Sequence, residues 1–248
     1  MMSQIADQLD LPSLNETFER QDPSQIIAWA AARFGDDLIM SSSFGADSAA
    51  LLHLATQAAP RIRIVFVNTG YIFPETHTFM EQLRQRLNLN VWVYRTTNDP
   101  AEYLRRSGEG DPAWRKDINA CCAANKIEPF ERAMRELAPK AWLRGIRRAQ
   151  AATRKDRAFI NWHERYNTFA VSPLLNWTDR DVYLYLKKHD LPYHPLREIG
   201  YSSIGCSPLS CTRAIAAGDD PRSGRWAGTD KIECGINVDH NSLDSANL

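Results

Sequence analysis

The 248-residue sequence has no excess charge of either sign: 30 Lys and Arg offset 30 Asp and Glu, a formal net charge of zero. That balance argues against nucleic acid or an anionic membrane as the partner, so any anion binding must be local. No apolar run is long enough to span a bilayer, and the opening MMSQIADQLDLPSLNETFERQDPSQ lacks the basic and apolar regions of a secretory signal. The expectation is a cytoplasmic protein. Neither GxxxxGK[ST] nor GxGxxG occurs, which removes the two best-known phosphate loops, and no internal repeat is present. Cysteines number only five, and in a reducing compartment such residues read as metal ligands or catalytic thiols before disulfide partners.

What is present, 44% hydrophobic residues, suffices for one substantial core. A single domain over 1–237 with a disordered tail over 238–248 is expected. Residues 24–34 carry helical spacing. From Asp37, DLIMSSS reads as a buried strand running into a Ser/Gly loop and an apolar helix over Ser48–Ala58. The run 62–70 is a second strand, followed by a helix that Pro74 starts, and NVWVYRT (90–96) is a third strand. The spacing then predicts a helix over 126–137 with Pro129 in its first turn, a strand over 141–146 and a fifth strand over 169–177. Thr178 caps a last helix. Strands alternating with helices imply an α/β fold with a parallel sheet wound on both faces, and ligands at the strands' C-terminal ends.

Three segments at those ends carry chemistry. The loop SSSFGADS (41–48) offers small residues and the start of a helix, a suitable place for an anion. It resembles the SGGxDS signature of the ATP pyrophosphatases at Ser43, Gly45, Asp47 and Ser48, with Phe44 in place of a glycine. Asn68, Thr69 and Gly70 end the second strand with groups suited to a nucleoside. Arg144, Arg147, Arg148 and Arg154 cluster after the fourth strand, either as a phosphate or sulfate clamp or as a solvated basic loop.

The cysteines fall as an adjacent pair, Cys121 and Cys122, as Cys206 and Cys211 in IGCSPLSCT, and as Cys234 in KIECGIN. Two distant pairs form a four-thiolate site for zinc or an iron–sulfur cluster, or they are small buried core residues. Cys234 stands apart, an exposed thiol on a flexible segment whose pKa Lys231, Arg222 and Arg225 can lower.

In order along the chain, SSSFG, NTGYIFPET, CC with KIEP, GIRR with TR, SPLLNWTDRDVYLYL, LPYHPL, GYSSIGC, PRSGRW and ECGIN resemble the assimilatory sulfonucleotide reductases. These thioredoxin-dependent enzymes reduce adenylyl sulfate (APS) or its 3′-phosphorylated form (PAPS). The resemblance implies a doubly wound, mainly parallel sheet of the adenine nucleotide alpha hydrolase-like type, related to the ATP pyrophosphatases, with a flexible C-terminal tail. It implies that Cys234 attacks the sulfate sulfur and that thioredoxin or glutaredoxin releases sulfite from the S-sulfocysteine. It places substrate contacts at Ser42, Ser43, Phe44, Gly45, Asn68, Thr69, Gly70, Lys126, Gly145, Arg147, Arg154, Arg222 and Arg225. The cluster-bearing subfamily, which uses APS, resembles this chain in its four extra cysteines, so Cys121, Cys122, Cys206 and Cys211 are the implied ligands of a 4Fe-4S cluster. Two departures stand out: four residues separate Cys206 from Cys211 where CxxC is usual, and Asn125 replaces an arginine. NKIEP and SSSFG also resemble the cluster-free PAPS enzymes. An adenylating ATP pyrophosphatase and a zinc-stapled nucleotide-binding module are the competing functions, and a homo-oligomer remains open.

Overall fold

In the computed structural model, which describes residues 9–97, 117–207, 211–216, 219–220 and 222–238, the buried strands build one sheet with helices on both faces. The elements run α1 (Leu11–Phe18), α2 (Pro23–Phe34), β1 (Leu38–Ser41), α3 (Ser48–Ala58), β2 (Arg63–Asn68), α4 (Pro74–Arg86) and β3 (Asn90–Arg95). After residues 98–116, which lie outside the described set, come α5 (Ile118–Cys122), a π-helical turn (Ala123–Ile127) and α6 (Glu128–Leu137). The chain continues through β4 (Ala141–Leu143), β5 (Ile160–His163), β6 (Thr168–Val171) and α7 (Asp179–Lys188).

The sheet order is β3-β2-β1-β4-β6-β5, parallel except for β5, which pairs antiparallel with β6. The chain winds outward from β1 to β3, then returns to place β4 on the other side of β1. The gap between β1 and β4 is therefore the topological switch point, where the two connections leave in opposite directions and open a crevice.

Strand alternation decides which residues meet which helices. Leu38, Met40, Ile64, Phe66, Leu143 and Val171 join the larger core with α2, α3, α4 and α7. The residues between them, Ile39, Val65, Trp142 and Ala170, face Phe130, Ala133 and Met134 of α6. Trp142 is wholly buried, and its indole N–H donates to Ser41 Oγ at 2.8 Å, which ties β4 to the end of β1. Ile236 and the half-buried Cys234 pack on this second core, so the C-terminal segment lies against the α6 face.

Several boundaries differ from the sequence reading. The strand expected over 62–70 stops at Asn68, whose Oδ1 accepts the Gly70 N–H at 3.0 Å, with Gly70 at φ 80° turning the chain. The strand expected over 169–177 is Thr168–Val171, because Pro173 lacks a ladder donor and 172–177 fold into turns. Strand β5 and helix α1 carry too little periodicity to be found: α1 is set by its cap, Asp10 accepting from Ser13 N at 3.2 Å. Thr178 caps α7 as expected, in a reciprocal pair with Asp181. No helix among the described residues is long and apolar enough to cross a membrane. The tail expected to be disordered lies, beyond Val238, outside the described residues.

Candidate active site

At the end of β1 the chain turns through Ser42–Asp47 into α3. Phe44 adopts φ 49° and sends its ring into the core, edge-on to Phe66 at 5.3 Å. Its wholly buried side chain is turned away from the cavity that Ser42, Ser43 and Gly45 line, which leaves only its backbone near that site. Its backbone N–H donates to Ser42 Oγ at 3.1 Å, which stabilises the left-handed turn. Gly45 is packed so closely that a Cβ there would lie 3.3 Å from the Ile204 carbonyl oxygen.

Beyond β4, most of the arginines are committed to protein partners. Arg144 donates from Nε to Ser172 Oγ at 3.0 Å and from an Nη to Asn161 Oδ1 at 2.7 Å, which ties β4 to β5 and the end of β6. Arg148 pairs with Glu19 at 3.0 Å, away from the crevice. Arg147, 1% exposed, bridges Asp47 on the loop and Asp179 on α7, and Arg197 holds the other oxygen of Asp47 at 2.8 Å. Arg154, 6% exposed, makes a bidentate pair with Glu233 through Nε at 2.7 Å and an Nη at 2.8 Å.

The crevice at the switch point holds a cavity of about 250 Å³. Six cationic side chains line it, Lys126, Arg144, Arg147, Arg154, Arg222 and Arg225, against the single carboxylate of Asp47. On a chain of zero net charge, that concentration fits a polyanionic ligand. Arg222 and Arg225 each have a buried Nε with no hydrogen-bond partner. Both guanidiniums stack on the buried Trp226 ring, at 5.4 and 4.6 Å. Buried charged donors without an acceptor are costly, and a bound oxyanion would satisfy them.

Cys234 lines the same cavity, half-buried rather than exposed on a flexible tail as its sequence context suggested. Burial alone would raise its pKa; Lys126, which hydrogen-bonds it, and the Ile236 backbone N–H lower it below the usual thiol value, with Glu233 opposing. Lys126 rises in turn, burial working against it and the Cys234 charge for it. The cation that activates the thiol is thus Lys126, on the π-helical turn, a distortion often found at functional sites. Lys231 instead donates to Asn119 Oδ1 at 2.6 Å.

The other cysteines behave oppositely. Burial raises Cys121, and pushes Cys122 up to about 11. A hydrogen bond with Cys211, then burial, raises Cys206 well above its ordinary value. Cys211 also lies within electrostatic reach of Cys121 and Cys122. One member of each pair, Cys122 and Cys206, is also within electrostatic reach of Lys126. The four-ligand expectation is only partly realised: among the described residues, no group of three or more Cys, His, Asp or Glu stands together as a metal site. Residues 208–210, where the longer spacing was expected to bulge, lie outside the described set.

Asn68, Thr69 and Gly70 do not line the cavity; Thr69 Oγ1 lies 3.4 Å from Cys206 Sγ. Gly145 does line it, with Ser42, Ser43 and Gly45. The sequence reading missed Trp226 as the platform under Arg222 and Arg225, Glu233 as the counter-ion of Arg154, and Asp47 as that of Arg147. SGRW, EC and SSSFGADS contain Trp226, Glu233 and Asp47 without revealing these contacts.

Residues 37–214 match the phosphoadenosine phosphosulfate reductase domain. An adenosine 5′-phosphosulfate reductase of Bacillus thuringiensis (strain Al Hakam) is 37% identical over 227 residues, 90% of this chain and 94% of that protein. One of Salinibacter ruber is 34% identical over 237 residues, 95% and 92% of the two chains. A crystal structure of phosphoadenylyl-sulfate reductase from Candida auris, in a phosphate complex, is similar at TM-score 0.70 and 25% identity over 80% of this chain and 95% of that one. FMN adenylyltransferase of Candida glabrata, at TM-score 0.58 and 17% identity over 93% of this chain and 81% of that one, shares the fold. With this sheet, the adenine nucleotide alpha hydrolase-like fold, and this match over most of its length, the chain belongs to the sulfonucleotide reductase family.

Proposed function

We propose that this protein reduces adenylyl sulfate to sulfite and AMP, with Cys234 as the nucleophile and a thioredoxin or glutaredoxin dithiol as the reductant. The observation that carries this reading is the placement of the Cys234 thiol in a cation-lined cavity at the switch point, against Lys126 and beside two arginines with unsatisfied buried donors. The thiolate attacks the sulfate sulfur. The bond from sulfur to the bridging oxygen breaks, and AMP departs with the electron pair as a phosphate. An anion attacking an anionic ester needs its charge cancelled, which Lys126, Arg154, Arg222 and Arg225 supply. The reductant's thiolate then attacks Cys234 Sγ and expels sulfite, and its second thiol resolves the mixed disulfide, so two electrons pass from dithiol to sulfur.

Cys121, Cys122, Cys206 and Cys211 would hold a 4Fe-4S cluster. The donor set supports this assignment, since Cys206 hydrogen-bonds Cys211, and Cys211 is within electrostatic reach of Cys121 and Cys122, although the thiols do not stand at ligating positions. Bound, the cluster would supply an electrostatic centre next to the site and staple the π-turn to the segment around Cys206. Cys211→Ser should lose iron and sulfide from protein purified without oxygen; full retention removes Cys211 from the ligands.

The preference for APS rests on the four extra cysteines and on the relatives named adenosine 5′-phosphosulfate reductase. The ratio of kcat/KM for APS and PAPS tests it with one reductant at one ionic strength. The nucleophile is tested by Cys234→Ser, which should bind AMP and release no sulfite. In wild-type protein without reductant, intact mass should show one sulfonate adduct on Cys234. Turnover by the serine variant, or an adduct on another cysteine, overturns the assignment.

A further inference from the structure

Glu233 has no part in the chemistry just described, yet it is among the most constrained side chains near the site. Its carboxylate, 8% exposed, receives Arg154 bidentately at 2.7 and 2.8 Å, lies 3.4 Å from an Arg222 Nη, and accepts the Cys234 backbone N–H at 2.7 Å. Gln150 occupies an Nη of Arg154 from the other side. Two of the five N–H donors of Arg154 thus hold Glu233, a third holds Gln150, and the remaining two stay available to the cavity that Arg154 lines.

Glu233 is not among the residues lining that cavity, whereas Cys234 and Arg154 are. A carboxylate plugging the anion site would lie inside it. This one lies behind Arg154, on the side of the chain that carries the nucleophile. The segment after it is equally fixed: the Asn237 N–H donates to the Cys234 carbonyl at 2.9 Å, Ile236 is buried against α6, and a Cβ on Gly235 would meet Ile127 Cδ1 at 2.5 Å.

We infer that Glu233 is a positioning residue: by clasping Arg154 and the backbone N–H of Cys234 together, it seats the nucleophile's segment in the cavity for attack on substrate. This rests on the reading of Cys234 as nucleophile. The clasp serves the first half-reaction alone, because the reductant must reach the S-sulfocysteine, and a segment held against Arg154 is no help to that step.

The test uses full-length Glu233→Gln and Glu233→Asp beside wild type. Adduct formation is followed by intact mass in single turnovers with saturating APS. Cleavage of the preformed adduct by thioredoxin is followed separately, and amide hydrogen exchange over 234–237 is measured without substrate. Glu233→Gln should slow adduct formation tenfold or more, leave AMP affinity within threefold and thioredoxin cleavage at least as fast as wild type, and speed exchange over 234–237. Glu233→Asp, which keeps the charge, should fall between the two. Wild-type exchange and wild-type adduct formation in Glu233→Gln would overturn the inference, as would equal losses in both half-reactions. If wild type itself forms no adduct on Cys234, the functional reading fails, while the exchange measurement still reports on the clasp.

Discussion

Replacing Arg147 by methionine separates two roles that the sequence alone merges. An arginine at the sheet's ligand edge reads as part of an anion clamp, and on that reading its loss weakens substrate binding. The structure instead uses it as a rivet between the β1–α3 loop and α7, through Asp47 and Asp179. Removing one partner of a buried ion pair costs about 3–5 kcal/mol, because a charge is left without compensation. Here the low end applies. Asp47 keeps Arg197 at 2.8 Å, and the Asp179 side chain, 57% exposed, can rehydrate. A loss of about 3 kcal/mol in a chain of this size lowers Tm by about 6–12 °C. Thermal unfolding and substrate affinity measured on the same preparation decide between the roles. A Tm within about 2 °C of wild type, with affinity reduced a hundredfold, would return Arg147 to the clamp and refute the rivet.

Acid should weaken the fold in two stages. Burial pushes wholly buried His194 down to about 4 from 6.5, and its ring is pinned by the Leu196 N–H at Nδ1 and by Thr76 Oγ1 at Nε2. Since the folded pKa lies below the unfolded one, its contribution is complete above about 6.5 and lost as pH falls toward 4, about 1 kcal/mol by pH 5.5. Burial would raise Glu233, but Arg154, Arg222 and the Cys234 N–H hold it at about 2, so its contribution is lost only as pH falls from about 4.5 toward 2. Urea midpoints at pH 7, 5.5 and 4.5 should fall in step, and His194→Gln should abolish the drop between 7 and 5.5; a flat profile in wild type refutes it. Gly205→Ala should raise KM about tenfold or more, because the added Cβ would collide with the Arg225 guanidinium and push it off the Trp226 ring. Gly145→Ala, whose Cβ meets Leu51 Cδ2 at 3.7 Å, serves as the tolerated control, and equal KM values for the two variants would remove Arg225 from substrate binding.

The parallel part of the fold is legible in the sequence because buried strands such as IRIVFVN must be apolar on both faces, and the helices between them carry a second period. Strand β5 escapes for the converse reason. At the edge, INWH needs only one ladder, and its identity depends on pairing with β6, a contact that no local pattern encodes. The helix expected from residue 126 begins earlier, through α5 and the π-helical turn, because Asp117 caps Asn119 and Ala120 and carries the helix past the cysteine pair.

The site divides along the same line. The resemblance to the sulfonucleotide reductases implied Ser42, Ser43, Gly45, Gly145, Lys126, Arg154, Arg222, Arg225 and Cys234, all of which line one cavity. Charge alone could not say which cations are spent. Four arginines after β4 carry the same sign in the sequence, but in the fold Arg147 is neutralised by two carboxylates and Arg148 by Glu19. Arg154 is shared with Glu233, while the arginines left with unpartnered buried donors, Arg222 and Arg225, come from a segment far away in the chain. The same holds for the thiols. Five cysteines are chemically alike until the fold hydrogen-bonds Lys126 to Cys234, whose pKa falls, while burial raises Cys121 and Cys122 and the hydrogen bond with Cys211 raises Cys206 against the pull of the same lysine. The hydrogen bond from Lys126 thus distinguishes Cys234 from its neighbours, and the π-helical turn that carries this lysine sets its position.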